Sequence, residues 1–188
     1  MLILKTELDK VLKLTHPCRC RKCENSCNYG SGAFADGEVK KLAESMNMNE
    51  EELKKEYLEE IQRFNTKRLR PKLLREEGKP YGKCVFYDKT LGCKVHEVKP
   101  LECKIAMGCK SYGEELITWF DLNYFLNAKD LESLRQFKEY VESGGKVLPG
   151  AEMKDLADEN TMKKLESYED LKDNTDWEEV LGLRDIKK

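Results

Sequence analysis

The chain has 188 residues, with Lys and Arg numbering 34 against 36 Asp and Glu for a formal net charge of -2, a balance that excludes a general electrostatic nucleic-acid binder and an acidic disordered chain. With 39% hydrophobic residues, this length suits one domain built around one core of ordinary size. No apolar run reaches the roughly 20 residues of a membrane helix, and MLILKTELDK takes up charge too early for a secretory leader, so the expectation is a cytoplasmic protein without a membrane partner.

In chain order, Leu2 to Leu14 alternates loosely between apolar and charged residues and reads as either an edge strand or a short helix. Residues 16–32 are rich in Pro, Gly, Asn and Ser as well as Cys, which predicts a ligand loop without regular structure. Gly30-Ser31-Gly32 has no preceding strand pattern and no Lys, so it is no phosphate-binding loop and supplies flexibility. From Val39 the period changes: Val39, Leu42, Ala43 and Met46 form one apolar stripe of a helix that Asn47-Met48-Asn49 ends. Asn49 then caps a second helix, with Leu53, Tyr57, Ile61 and Phe64 as its buried face. Residues 63–79 carry seven basic residues against two acidic and include Pro71, which breaks or restarts a helix. Phe64 is the one aromatic there to stack on bases, so the stretch reads as a solvated linker and nucleic acid is not expected.

Val85, Phe86 and Tyr87 look like a short strand, followed by a turn at Lys89-Thr90-Leu91-Gly92. Leu116, Ile117, Phe120 and Tyr124 share a helical face; Asn127 is the expected cap of a further helix with Asp130 in its first turn and Leu131, Leu134, Phe137 and Val141 as its stripe, stopped by Ser143-Gly144-Gly145. Residues 151–188 hold twelve acidic and seven basic residues, with Leu156, Leu165, Trp177, Val180 and Leu181 as anchors for helical pieces draped over the core. No internal repeat is apparent.

Eight cysteines, at positions 18, 20, 23, 27, 84, 93, 103 and 109, carry the chemistry. A reducing compartment disfavours disulfides and turns such clustering towards metal ligands. Cys20-x-x-Cys23 lets two thiolates converge from a tight loop, and Cys27 is near enough to add a third. A fourth comes from Cys18 or from the second block, where Cys84, Cys93, Cys103 and Cys109 are too widely spaced for paired zinc knuckles and imply long-range closure. Arg19, Arg21, Lys22, Lys83, Lys94 and Lys104 lie beside these sulfurs and favour thiolate over thiol. His16 reads as a loop residue, and His96, close to Cys93, is chemically able to ligate a metal.

The run Cys20-Arg-Lys-Cys23-Glu-Asn-Ser26-Cys27, the helix pair around Asn47-Met-Asn-Glu-Glu-Glu-Leu53, then Cys84-Val-Phe-Tyr, Gly92-Cys93-Lys-Val-His96 and Lys99-Pro100-Leu-Glu-Cys103 resemble the zinc- or iron-chelating cysteine-cluster family with a CxxCxxCC signature. The resemblance spans roughly residues 18 to 109. It implies that Cys20, Cys23, Cys27, Cys84, Cys93 and Cys103 occupy family positions, with Cys18 and Cys109 as additions. Ser26 stands where the signature has the first of two adjacent cysteines, Lys99 where arginine is usual, and His96 where tyrosine is usual, so His96 is read as a packing aromatic. Some relatives are fused to or resemble flagellin lysine N-methylases, the one enzymatic activity the resemblance suggests.

The expected fold is α+β and mainly helical: a loop-rich cysteine site with few short strands, packed on helices. A cysteine-cluster domain over residues 1–112 is followed by a helical extension over 113–188 packed on it. The expected function is metal binding through cysteine thiolates, with an iron–sulfur cluster of [4Fe-4S] type as cofactor, zinc as the alternative, and a role in electron transfer or with a protein partner. Eight thiolates exceed one tetrahedral zinc and suit one cluster with spare thiols or two clusters. The other readings are a zinc-stabilised interaction module and a lysine N-methylase-like enzyme using S-adenosylmethionine, for which no glycine-rich strand-to-helix nucleotide loop is present.

Overall fold

The structure is a computed structural model that describes residues 1–15 and 20–168. The ambiguous opening segment is a helix, α1 (Leu8–Leu14), with Asp9 in its first turn and Lys13 in its last, as the helix dipole favours. Val11 is its fully buried anchor. The expected ligand loop also contains a helix, α2 (Arg21–Ser26). Its Pro and Gly residues lie outside this six-residue stretch, whose own residues hold no helix breaker, so the composition of the whole segment hid a local helix.

The helix pair forms as expected. In α3 (Glu38–Ser45), Leu42 and Ala43 are buried. Asn47 turns the chain at a φ of 50°, and Asn49 caps α4 (Glu50–Tyr57) by accepting the Glu51 N–H at 2.7 Å. The second helix is shorter than its apolar stripe implied. After Tyr57 the chain enters β1 (Leu58–Arg63), which pairs antiparallel with β2 (Thr66–Pro71) from Leu58 opposite Pro71 to Arg63 opposite Thr66. Phe64 and Asn65 form the connection with φ of 44° and 56°, the left-handed pair of a two-residue hairpin turn. Ile61 therefore lies on a strand and Phe64 at the turn; cross-strand pairing overrode the helical spacing.

The basic stretch is likewise not a solvated linker. It supplies β2 and β3 (Leu73–Arg75), and its arginines are engaged within the fold. Arg68 donates to the Tyr124 carbonyl at 2.6 Å and pairs with Asp36 at 3.0 Å, while Arg70 and Arg75 share Glu59 at 2.9 and 2.6 Å. β3 pairs antiparallel with β4 (Gly82–Cys84), setting Leu73 opposite Cys84. The third ladder joins β5 (Tyr87–Asp88) to β6 (Gly92–Cys93) around the expected turn, where Asp88 accepts the N–H groups of Thr90 and Leu91. The strand expected at Val85 to Tyr87 is split: Val85 and Phe86 form a turn between β4 and β5.

A 3-10 turn at His96–Val98 leads into α5 (Leu101–Ile105). The long helices α6 (Gly113–Tyr124) and α7 (Leu131–Glu142) follow, then α8 (Met153–Leu156) and α9 (Glu159–Ser167). Asp130, not Asn127, caps α7 by accepting the Glu132 N–H, because it immediately precedes the first helical residue. Asn127 accepts the Lys129 N–H within the preceding turn. Ser143 and Gly144, the latter at a φ of 92°, end α7 as expected. Trp177, Val180 and Leu181 lie outside the described residues. The result is a mainly helical α+β fold with short two-stranded ladders.

Two apolar clusters hold it. The larger joins Leu2, Val11, Ala33, Leu101 and Ile105 to Trp119, Phe120, Phe125 and Phe137, so α1, α5, α6 and α7 close on one another. The smaller gathers Phe34, Leu42, Leu53, Leu58, Cys84 and Phe86. A polar bridge crosses the larger: Arg63, at the end of β1, binds Glu102 of α5 at 3.0 Å and also Asp121 of α6. Among the described residues no helix is long and apolar enough to cross a membrane.

Candidate metal centre

The cysteines reach their places through short elements held by backbone contacts. α2 carries Cys23 in its first turn and ends on Cys27; Cys20 precedes it at the N-cap position. The Cys27 carbonyl accepts the Cys84 N–H at 2.8 Å, which fastens the end of α2 to β4. Cys93 sits opposite Tyr87 in the β5–β6 ladder. Cys103 projects from α5, where Pro100, fixed just before the first helical turn, begins the helix.

Residues 30–34 clamp the arrangement. Ser31 Oγ donates to the Pro71 carbonyl at 2.6 Å, Gly32 N–H to Cys103 Sγ at 3.1 Å, Ala33 N–H to Glu102 Oε2 at 2.6 Å, and Phe34 N–H to the Leu69 carbonyl at 2.9 Å. Gly32 is required here for space: a Cβ on it would stand 2.8 Å from Cys103 N and 2.9 Å from Cys103 Sγ. Glu102, 6% exposed, is held in turn by Arg63. Reading Gly30-Ser31-Gly32 as mere flexibility missed this role, since the close approach depends on α5, some seventy residues away. Glu102 and Arg63 escaped notice for the same reason.

The seven described sulfurs fall into two neighbouring groups. Cys27, Cys84, Cys93 and Cys103 line one cavity of about 80 Å³, together with Tyr87, His96 and Lys99, and Cys23 reaches its wall. Burial pushes the Cys27 thiol up, with Cys93 adding to the effect and Lys99 opposing it. Burial carries Cys84 up to about 12, although the Phe86 and Tyr87 N–H groups point at its sulfur and pull the other way. Burial also raises Cys103, against the Gly32 N–H. Cys84 and Cys27 each raise Cys103 further, and Cys27 and Cys93 raise Cys84. These thiols thus resist ionising together without a compensating positive charge.

The second group is Cys20, Cys23 and Cys109, whose sulfurs all lie within 4.8 Å of one another, with Cys23 and Cys109 at 3.5 Å. Three cysteine sulfurs this close are able to chelate a metal ion. No disulfide joins any two of the seven described cysteines. Cys18 and His16 lie outside the described residues. Ser26 is exposed at the end of α2, its carbonyl accepting the Tyr29 and Gly30 N–H groups.

His96 contributes something that its reading as a packing aromatic did not include. Its Nδ1 lies 3.4 Å from the Glu97 carboxylate, while Nε2 is buried without a hydrogen-bond partner in a residue on the cavity wall. A buried orphan nitrogen beside clustered thiols, with amide N–H groups directed at two of the sulfurs, is the donor chemistry that a soft, positively charged centre satisfies. The residues present therefore fit a thiolate-bound metal group.

Residues 19–122, more than half of the chain, match the CxxCxxCC family, described as a "Putative zinc- or iron-chelating domain". No curated protein and no solved structure matches the chain.

Proposed function

The chain belongs to the CxxCxxCC family of zinc- or iron-chelating domains, and from that premise we propose that it holds an iron–sulfur cluster of [4Fe-4S] type through Cys27, Cys84, Cys93 and Cys103, serving electron transfer or a cluster-dependent protein partner. The observation that carries this reading is that Cys27, Cys84, Cys93 and Cys103, from four separate segments, line a single cavity of about 80 Å³ that Cys23 also borders. A single zinc draws its thiolates in to about 2.3 Å and so to roughly 3.8 Å from one another, whereas among the described residues the group of three ligand atoms within 4.8 Å of one another is Cys20, Cys23 and Cys109 and not a set from these four. A cluster sets its ligands on different irons and needs that room.

The chain's own residues shape what such a group would do. Three amide N–H groups, of Phe86, Tyr87 and Gly32, direct partial positive charge at Cys84 and Cys103, and hydrogen bonds to sulfur are one of the determinants of cluster potential. Lys99 on the wall offsets thiolate charge at Cys27, whereas the neighbouring Lys104 is paired with Glu38 at 2.9 Å. The aromatic and aliphatic wall of Phe86, Tyr87, Val95 and Met107 limits water. Because the ligands come from segments some seventy residues apart, binding would also stabilise the fold.

The test is anaerobic purification with iron, sulfide and zinc quantification and a visible spectrum, on the wild type and on Cys103→Ala. Iron with matching sulfide and broad visible absorption in the wild type, both lost in Cys103→Ala, is the expected result. A colourless wild-type protein with zinc alone would refute the cluster.

A further inference from the structure

Cys109 stands outside the cavity, and the elements that hold it are as closely fitted as those of the cavity itself. It sits in the connection between α5 and α6. That connection is anchored by Met107, 2% exposed, and folded so tightly that a Cβ on Gly113 would lie 2.2 Å from the Met107 carbonyl oxygen. The Lys110 N–H donates back to the same carbonyl at 3.1 Å. Tyr112 Oη donates to the Leu14 carbonyl at 2.8 Å, tying the connection to the end of α1. The backbone at Gly108 runs beside α2, where a Cβ would stand at ordinary contact distance, 3.6 Å from the Lys22 carbonyl oxygen. The connection is thus folded on itself and tied to α1, and it meets α2 where Gly108 passes Lys22 and Cys109 reaches Cys23 from a sequence distance of 86 residues.

We infer that Cys20, Cys23 and Cys109 form a second metal centre, separate from the cavity group, that binds one zinc-class ion. Its compactness sets the class. The 3.5 Å between Cys23 and Cys109 and the 4.8 Å limit for the whole triad match the roughly 3.8 Å edge of a tetrahedral zinc–thiolate site. Among the described residues three thiolates converge here, and a zinc ion takes a fourth donor beside them. α2 is the shared beam: one helical turn separates Cys23 from Cys27, so the triad and the cavity lie on successive turns and Cys23 touches both. Binding releases the thiol protons and pins the α5–α6 connection to α2.

This inference rests on the cavity reading only for its partner centre, and the two fail differently. Zinc, iron and sulfide are measured per chain in anaerobically purified full-length wild type, Cys109→Ser, Cys20→Ser and Cys84→Ser, with circular dichroism to confirm folding. The expected wild type holds about one zinc beside its iron. Cys109→Ser and Cys20→Ser lose the zinc and keep iron, sulfide and the visible spectrum, whereas Cys84→Ser loses iron and keeps zinc. Loss of iron together with zinc in folded Cys109→Ser and folded Cys20→Ser would show one shared centre and overturn the inference. So would a wild type without zinc whose iron doubles that of one cluster. A wild type with zinc and no iron, whose zinc disappears in Cys109→Ser, would refute the cluster and leave this site standing.

Discussion

Replacing Gly32 by Ala tests the clamp over α5 most directly. The added methyl would begin 2.8 Å from both Cys103 N and Glu102 Cβ and 2.9 Å from Cys103 Sγ, about 1 Å inside ordinary contact. Backbone and helix start leave no flexible atom to yield, so the Gly30–Ala33 segment must move away from α5. That motion opens the Gly32 N–H to Cys103 Sγ bond and loosens the Ala33 N–H to Glu102 bond. Overpacking costs about 1–3 kcal/mol, and a lost hydrogen bond about 1 kcal/mol, for a sum of about 2–4 kcal/mol. With a urea m-value of about 2 kcal/mol/M, the metal-free protein should unfold at a midpoint lower by about 1–2 M. If the metal is the proposed iron–sulfur cluster, removing an N–H from a thiolate disfavours the more negative reduced state, so the midpoint potential should fall. Urea melts followed by far-UV circular dichroism and a redox titration read these two effects. An unchanged urea midpoint together with an unchanged potential would refute the clamp.

Arg63→Met leaves Glu102 and Asp121 facing each other without their cation, and urea unfolding should show a loss of about 3 kcal/mol; a neutral result would mean that the bridge contributes nothing to the fold. Burial lifts the Asp121 carboxyl up to about 6 despite Arg63. Because this folded-state pKa lies above the unfolded value, its stabilising contribution is full below about pH 4 and is lost as pH rises through about 6. Asp121→Asn should therefore flatten the fall in urea midpoint of the metal-free protein between those values, and a parallel pH profile would contradict this assignment. In metal-stripped protein, Cys84, with its thiol carried up to about 12, and the likewise raised Cys27 and Cys103 should alkylate slowly at pH 8 and faster towards pH 12, as more thiolate forms. Iodoacetamide labelling read by mass spectrometry checks this, and rapid modification of Cys84 at neutral pH would count against its burial.

How far the chain could be read from residues alone differed by element. The stripe through Leu42 and Ala43 and the Asn49 cap were legible, because side-chain spacing and a single capping oxygen act within a few residues. The same local reading carried the second helix past Tyr57, since Ile61 and Phe64 keep helical spacing. Only pairing with Thr66–Pro71 made that segment a strand. The basic stretch misled for a related reason: the charges of Arg68, Arg70 and Arg75 suggest solvent until Asp36 and Glu59 are brought beside them. α2 was hidden by averaging over a segment whose Pro and Gly residues fall outside it.

Sequence by itself determined the chemistry: clustered Cys20, Cys23 and Cys27, a second cysteine block, and the CxxCxxCC family to which they belong. Thiolate character is a property of residue type, and helix spacing of neighbours along the chain, so both survive without a fold. Which sulfur meets which was decided only by tertiary structure. Cys109 joins Cys20 and Cys23, while Cys27 turns with Cys84, Cys93 and Cys103 into the cavity. That partition depends on contacts no local pattern encodes, namely Gly32 against α5, the Cys27 carbonyl against β4, and the α5–α6 connection folded onto α2. Sulfurs far apart along the chain converge because apolar faces bury against one another, in the core of α1, α5, α6 and α7 and in the smaller cluster that takes in Cys84, and that burial is indifferent to where cysteines stand in the sequence.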